Sequence, residues 1–222
     1  VQTCALPIFS LVFTFLYFQN INSRASVNCD IYTATDLVNA FGDHLTSAQI
    51  NACTTINLKN DITLTSTWTS VGQVAISYFN GTIEGNGFTI TGLTADRGLI
   101  AAADTATIRN IKIRSCTVSN SSANIVGGLV SYATDRTQIN NSSTDCAVTG
   151  ASQVGGLVAK IDGSSTIDNS FASGAITCAN YCGGLFGYAE LATIQNSYAT
   201  GAVSAKYNGG GLGGDISGST LF

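Results

Sequence analysis

The chain has 222 residues, with 24 Gly, 1 Pro, 7 Cys and no Met, and only 10% of it is charged against a usual ~25%. An apolar fraction of 45% can build a core, which excludes a disordered chain, and the excess of Gly, Ser, Thr and Asn shows neither the Gly period of collagen nor the Lys/Glu/Leu heptads of a coiled coil. The formal charge of −4 excludes nucleic acid as a partner, because that affinity rests on Lys and Arg neutralising phosphates.

Residues 1–8, VQTCALPI, match at every position the translation of a sequencing adapter. They are read as an artefact outside the fold, with a genuine N-terminus as the alternative. Phe9 to Phe18, FSLVFTFLYF, is too short for the ~20 residues that cross a bilayer, so no membrane span is expected. It fits the apolar centre of a signal peptide, with a buried first strand as the alternative. Ser23-Arg24-Ala25 is a small-x-small cleavage site, which makes residues 9–25 a signal-peptide remnant and starts the mature chain near Ser26.

Setting Cys4 aside leaves six cysteines, Cys29, Cys53, Cys116, Cys146, Cys178 and Cys182. An even number suits an oxidising compartment, so the protein is expected to be secreted or displayed at the cell surface. The cysteines lack CxxC spacing and a nearby His, so neither a metal nor another cofactor is expected. Asn80, Asn120, Asn140 and Asn141 open Asn-x-Ser/Thr sequons and are glycosylation candidates.

Residues 26–96 read as an N-terminal cap and the first coils. Thr35-Asp36 precedes LVNAFGDHL, in which Leu37, Val38, Phe41 and Leu45 recur at helical spacing. The pattern predicts a short helix over 36–45 that covers an open sheet end, with His44 on its surface.

Residues 97–222 repeat. Gly-Gly-Leu occurs at Gly127-Gly128-Leu129, Gly155-Gly156-Leu157, Gly183-Gly184-Leu185 and Gly210-Gly211-Leu212, at steps of 28, 28 and 27, after a degenerate Arg97-Gly98-Leu99. Each Leu is followed by an apolar residue (Ile108, Ile139, Ile167, Ile194, Leu221), and the first four copies carry Asn two places on (Asn110, Asn141, Asn169, Asn196). A constant period filled by short β-branched stretches and broken by Gly, Ser and Asn predicts stacked coils. The fold expected is an all-β, right-handed parallel β-helix of about five coils with a period of 27–31 residues, each coil holding three short strands. The Asn column is expected to form a side-chain amide ladder. Since residues 219–221 match the start of a further coil, a continuation past residue 222 is expected.

Cys116 and Cys146 each stand two places before the repeated Val, which puts them one strand spacing apart and predicts a disulfide. Sequence proximity then pairs Cys29 with Cys53 and Cys178 with Cys182, among the many connectivities that six cysteines allow. Extra residues between Val118 and Gly127 predict a bulge that makes Asn120 the most exposed sequon.

The segments IVGGLVSYATDRTQINNSSTDCAVTG, VGGLVAKIDGSSTIDNSFASGAIT and CGGLFGYAELATIQNSYATGAVS resemble GLUG repeats. INLKNDITLTSTWTSVG with FNGTIEGNGFTITGL resembles the opening module of pectin-lyase-like right-handed β-helices. The resemblance implies a secreted or cell-surface protein of adhesin type, and implies less about activity.

A glycoside hydrolase on this scaffold needs two convergent carboxylates and a lyase several acids with a basic residue. Aligned to the repeat, Asp104, Asp145, Asp162, Asp168 and Asp215 stand apart, and only Asp135 and Glu190 come near one column. No catalytic residue is therefore assigned. Tyr132 and Tyr188 share a column with Lys160 between them, three residues after each Leu, and are the candidate sugar contact. Thr107, Thr166, Thr193 and Thr220 form another column, broken by Gln138, similar to one of the two Thr rows of ice-binding solenoids. The function expected is a non-catalytic adhesive or structural stalk with a glycan-binding face, the alternative being the scaffold of a carbohydrate-active enzyme whose catalytic residues lie elsewhere. Expected partners are surface glycans or other extracellular proteins, with end-to-end or lateral self-association also open.

Overall fold

A computed structural model describes residues 27–41, 53–72 and 77–222. The adapter-like residues 1–8, the apolar run, the small-x-small site, His44 and Leu45 lie outside the described residues.

One coil shows the unit. Strands Gln138–Asn140, Ser143–Thr144, Ala147–Gly150, Val154–Gly155 and Val158–Ile161 follow one another around the column. Five very short strands thus replace the three expected. Corners cut the chain more often than Gly alone signals, because Asn141 and Gln153 also take left-handed backbone, at φ 48° and 31°. Among the described residues every strand pairs in parallel with its equivalents one coil away, giving five sheets of eight, six, five, four and five strands.

The eight-stranded sheet starts earlier than the repeats. Asn28–Ile31, Thr55–Leu58 and Thr82–Glu84 enter the same ladder as Thr107–Arg109, so the solenoid has about six turns, one more than the repeat predicts. Along this sheet Ile56, Ile83, Ile108, Ile139, Ile167 and Ile194 point inward and are buried. Leu99, Leu129, Leu157 and Leu185 are fully buried on another side. An inward side chain needs a coil on each side to lose its water: in the last coil Ile216 and Leu221 are 41% and 42% exposed, where Ala189 and Ile194 are 0% and 2%.

The two glycines of Gly-Gly-Leu have different reasons to be glycine. A Cβ on Gly127, Gly155, Gly183 or Gly210 would overlap the carbonyl oxygen three residues ahead in the same bend. A Cβ on Gly128, Gly156 or Gly184 would instead strike the carbonyl oxygen of Gly156, Gly184 or Gly211 in the next coil. The first glycine makes the turn and the second lets the next coil approach.

The helix covers Ala34–Phe41, and its cap lies earlier than expected. Thr33 accepts from the backbone N–H of Asp36 at 3.2 Å, and the Asp36 carboxylate accepts from the N–H groups of Tyr32 and Thr33 at 3.1 and 2.9 Å. This reciprocal cap explains why Thr33, not Thr35, starts the helix. The bond from Thr33, followed by that from Tyr32, holds the Asp36 carboxyl below its ordinary range. Leu37, Ala40 and Phe41 face inward while Val38 is exposed. Phe41 meets Trp68 and Phe79 edge-on at 5.9 and 5.7 Å, so an aromatic cluster fills the N-terminal side of the core.

Among the described residues three disulfides join Cys29–Cys53, Cys116–Cys146 and Cys178–Cys182. Cys116 and Cys146 directly precede the paired residues Thr117 and Ala147, with Cα atoms 4.5 Å apart, so this bond staples two consecutive coils. Cys178–Cys182 closes a single corner, with a sequence separation of 4.

Two stability outcomes follow from these contacts. Gly184→Ala should lower the unfolding free energy by about 3 kcal/mol through backbone overlap, whereas Gly211→Ala, whose Cβ meets nothing within 4 Å, should stay within about 0.5 kcal/mol of wild type. Denaturant titration of both variants measures the contrast, and equal effects would refute the close-approach explanation. Opening Cys116–Cys146 with a double Ala variant should cost about 3–4 kcal/mol, and opening Cys178–Cys182 about 2, because loop-closure entropy rises with loop length; thermal melts give the order.

Candidate glycan-contact face

The face that follows each Gly-Gly-Leu is built from Ile100–Asp104, Val130–Thr134, Val158–Ile161, Phe186–Glu190 and Gly213–Ser217. Val130, Val158 and Phe186 anchor it in the core, as do Ala133, Ile161 and Ala189. Between these anchors Ala102, Tyr132, Lys160, Tyr188 and Asp215 occupy one paired row across five coils. The structure therefore brings Tyr132, Lys160 and Tyr188 together, each half-buried.

Two further tyrosines extend the row. Tyr78 meets Tyr132 with centroids 6.3 Å apart at 62°, and Tyr181 meets Tyr188 at 6.1 Å and 65°. Both are edge-to-face pairs, the geometry that ring quadrupoles favour. Neither residue is visible in the repeat: Tyr78 precedes it, and Tyr181 stands on a corner whose left-handed φ of 50° no motif announces for an aromatic residue.

Lys160 is not a free cation. Its ammonium lies 4.9 Å over the Tyr132 ring and 3.0 Å from Asp162 Oδ2. The Tyr132 hydroxyl donates to the same carboxylate oxygen at 2.8 Å. Burial pulls the Lys160 pKa down, but the adjoining Asp162 carboxylate outweighs it and the net shift is upward. For Tyr132, burial is the main cause of an upward shift and Asp162 adds to it.

The carboxylates align differently from the repeat count. Ile161 pairs with Ala189, so Asp162 and Glu190 follow in adjacent coils. Asp135 lies one residue further along its coil and stands beside Gly163, whose carbonyl accepts from Arg136 N at 2.9 Å. The acidic neighbour of Glu190 is therefore Asp162 and not Asp135.

The Asn column forms one amide rung only. Asn169 Nδ2 donates to Asn141 Oδ1, but Asn196 donates to Asp168 at 2.9 Å and Asn110 to Glu84 at 2.9 Å. All four Asn are left-handed, with φ between 48° and 57°, a backbone that Asn tolerates well. The regular inter-coil bonds belong to the serine that follows Asn141, Asn169 and Asn196, where Asn110 has Ile111 instead: Ser142 N donates to Ser170 Oγ and Ser170 N to Ser197 Oγ, both at 3.1 Å. Each hydroxyl then returns to the carbonyl two residues back. The recurring Asn-Ser pair is the sequence signal for this ladder.

An open groove of about 480 Å³ lies along this corner, lined by Glu84, Asn86, Asn110, Lys112 and Asn141. Glu84 is already occupied by Arg109 Nε at 2.6 Å, Asn110 Nδ2 and Asn86 N. Burial would raise its pKa, but these three donors outweigh burial and the net shift is downward. On the neighbouring face Phe171 and Tyr198 stack in parallel at 5.1 Å, with Arg114 over Phe171 at 5.6 Å.

The Thr row is longer than the repeats reveal, because Thr55 and Thr82 pair into it ahead of Thr107. The outward row beside it reads Asp30, Asn57, Glu84, Arg109, Asn140, Asp168 and Gln195, so no second Thr row adjoins it. Among the sequons, Asn80 and Asn141 are exposed while Asn120 and Asn140 are half-buried. The bulge does not make Asn120 the most exposed, since its Oδ1 folds back to accept from Ser122 Oγ and Ala123 N at 2.9 and 3.2 Å. Among the described residues no group of three or more His, Cys, Asp or Glu could hold a metal ion, and no helix is long and apolar enough to cross a membrane.

The Tyr132–Asp162–Lys160 contact has a pH signature. Both upward shifts mean that the folded chain holds these protons more tightly than the unfolded one, so the contact stabilises fully below the ordinary Tyr and Lys values of about 10 and is lost as pH rises through the folded ones. In a tyrosinate absorbance titration, Tyr132→Phe should remove an ionisation that burial and Asp162 raise above the ordinary Tyr value, and Asp162→Asn should lower that ionisation without removing it; an ionisation unmoved by Asp162→Asn would contradict the Asp162 contact.

Residues 150–177 match the family model described as the GLUG motif. No curated protein and no solved structure was found to match the chain. The chain is thus a β-helix repeat protein that carries the GLUG motif on a parallel β-solenoid.

Proposed function

We propose that this chain is a non-catalytic extracellular stalk whose Tyr132–Lys160–Tyr188 row contacts glycans. The paired row itself carries the reading. Sugar rings combine apolar C–H faces with polar rims, and tyrosine offers an apolar ring with a polar tip in the same small area. The parallel sheet holds these rings in register on a buried support, so little side-chain entropy is left to lose on binding. Three disulfides fit an oxidising compartment, and stacked coils supply the length and stiffness of a stalk, at about 4.8 Å per coil. The catalytic alternative finds no support in Asp162, whose carboxylate is already engaged by Lys160 and Tyr132.

Affinity electrophoresis and product analysis on a panel of neutral and acidic polysaccharides, with and without calcium, tests this. Retention without cleavage is expected. Tyr132→Ala combined with Tyr188→Ala should weaken retention tenfold or more, on the ~0.5–1.5 kcal/mol scale of each aromatic contact, while Tyr198→Ala on another face leaves it unchanged. Shortened chains would make the protein an enzyme, and equal retention by all variants would place binding elsewhere.

A further inference from the structure

The geometry points to a ligand class for this row: an uncharged, extended β-1,4-linked glycan, with polymers bearing carboxylate or sulfate groups excluded. This rests on the glycan-contact reading above. A basic residue between two aromatic residues ordinarily signals an acidic sugar, with the cation taking its carboxylate. Here that role is already filled. Lys160 is 3.0 Å from Asp162 Oδ2, lies over the Tyr132 ring and is itself half-buried. A uronate could reach it only by displacing an intramolecular carboxylate that Tyr132 also holds in place at 2.8 Å.

The remaining charges on the face repel anions. Its strands and the residue after Ile161 carry Asp104, Asp162, Glu190 and Asp215 against the single cation Lys160. With Lys160 and Asp162 paired, three carboxylates are left over. Asp215 stands next to Tyr188 in the row, and Glu190 lies two residues along from Tyr188. Among the described residues neither forms an ion pair. Such carboxylates accept hydrogen bonds from sugar hydroxyls, charge-assisted bonds stronger than neutral ones, but a carboxylated chain brought beside them meets like charge.

Spacing supplies the linkage. Tyr132 and Tyr188 are two coils apart in register, a separation of about 9.6 Å at ~4.8 Å per strand. In an extended β-1,4-linked chain, alternate sugars present the same face one disaccharide apart, which is a step of this length. The two rings can thus meet equivalent faces of the first and third sugars, with the Lys160 backbone position of the row between them and its ammonium drawn aside to Tyr132 and Asp162.

Two polymers that share one backbone separate charge from shape: hydroxyethyl cellulose, uncharged, and carboxymethyl cellulose, anionic. In affinity electrophoresis at low salt, wild type should be retained by the first and at least tenfold less by the second. Asp162→Asn leaves Tyr132 an acceptor but releases the Lys160 charge, so it should raise retention by carboxymethyl cellulose several-fold and leave hydroxyethyl cellulose nearly unchanged. If Asp162→Asn lowers the melting temperature, the half-buried Glu190 and exposed Asp215 replace it as Glu190→Gln with Asp215→Asn: the ratio of carboxymethyl cellulose to hydroxyethyl cellulose retention should rise several-fold, even though losing the charge-assisted bonds weakens hydroxyethyl cellulose retention itself. Equal or stronger retention of wild type by carboxymethyl cellulose overturns the charge exclusion and leaves glycan contact standing. Retention by neutral α-linked glycans but not by hydroxyethyl cellulose overturns the linkage. Retention by no glycan of either panel overturns the underlying reading together with this one.

Discussion

Close backbone approach at the Gly-Gly-Leu bend is the constraint on which the rest of this solenoid depends. One coil's carbonyl oxygen occupies the space where a Cβ of the neighbouring coil would sit, at Gly128, Gly156 and Gly184 in turn. A bend this tight leaves no freedom to slide. A register slip of one residue would carry a side chain into the overlap and turn the inward Ile and Leu rows outward. Glycine at two adjacent positions therefore locks the period, and the locked period aligns the columns.

Alignment then gives each column a different role. Inward rows remove apolar surface from water only when a coil lies on both sides, as the exposure of Ile216 and Leu221 against Ala189 and Ile194 shows. Corner rows must satisfy backbone groups that the short strands leave unpaired. Asn and Ser do this together, since Asn takes the left-handed backbone and the following Ser joins the N–H of one coil to the carbonyl of the next. Outward rows are free to vary, and there the Tyr face differs from the others. Its rings meet edge-on, and its cation is neutralised within the chain. The Phe171–Tyr198 stack uses ring faces for contact within its own column, which leaves less of each face for a ligand.

Much of the scaffold is legible in the sequence. Gly-Gly-Leu at steps of 28, 28 and 27 identifies stacked units because a period is a property of the chain alone. The Cys116–Cys146 bond is readable for the same reason, since equal offsets from a repeated Val place two residues one strand apart. The Tyr132, Lys160 and Tyr188 row follows from equal offsets to Leu. By contrast, a count that slips by one residue fails without warning, and it matches Asp135 to Glu190 where the strand pairing puts Asp162.

The sequence by itself determined the period, the strand-rich coil and the columns of residues at a fixed offset from Gly-Gly-Leu, because these depend on spacing and on the small volume of Gly and Ala. Only the tertiary structure decided what the columns do. The pairing of Lys160 with Asp162, the approach of Tyr78 and Tyr181, and the transfer of the corner ladder from Asn to Ser all depend on side-chain direction and on left-handed corners at Asn141, Asn169 and Tyr181. The early coils joined the ladder without a Gly-Gly-Leu signal, because parallel pairing requires matching inward rows and backbone groups, which many sequences supply.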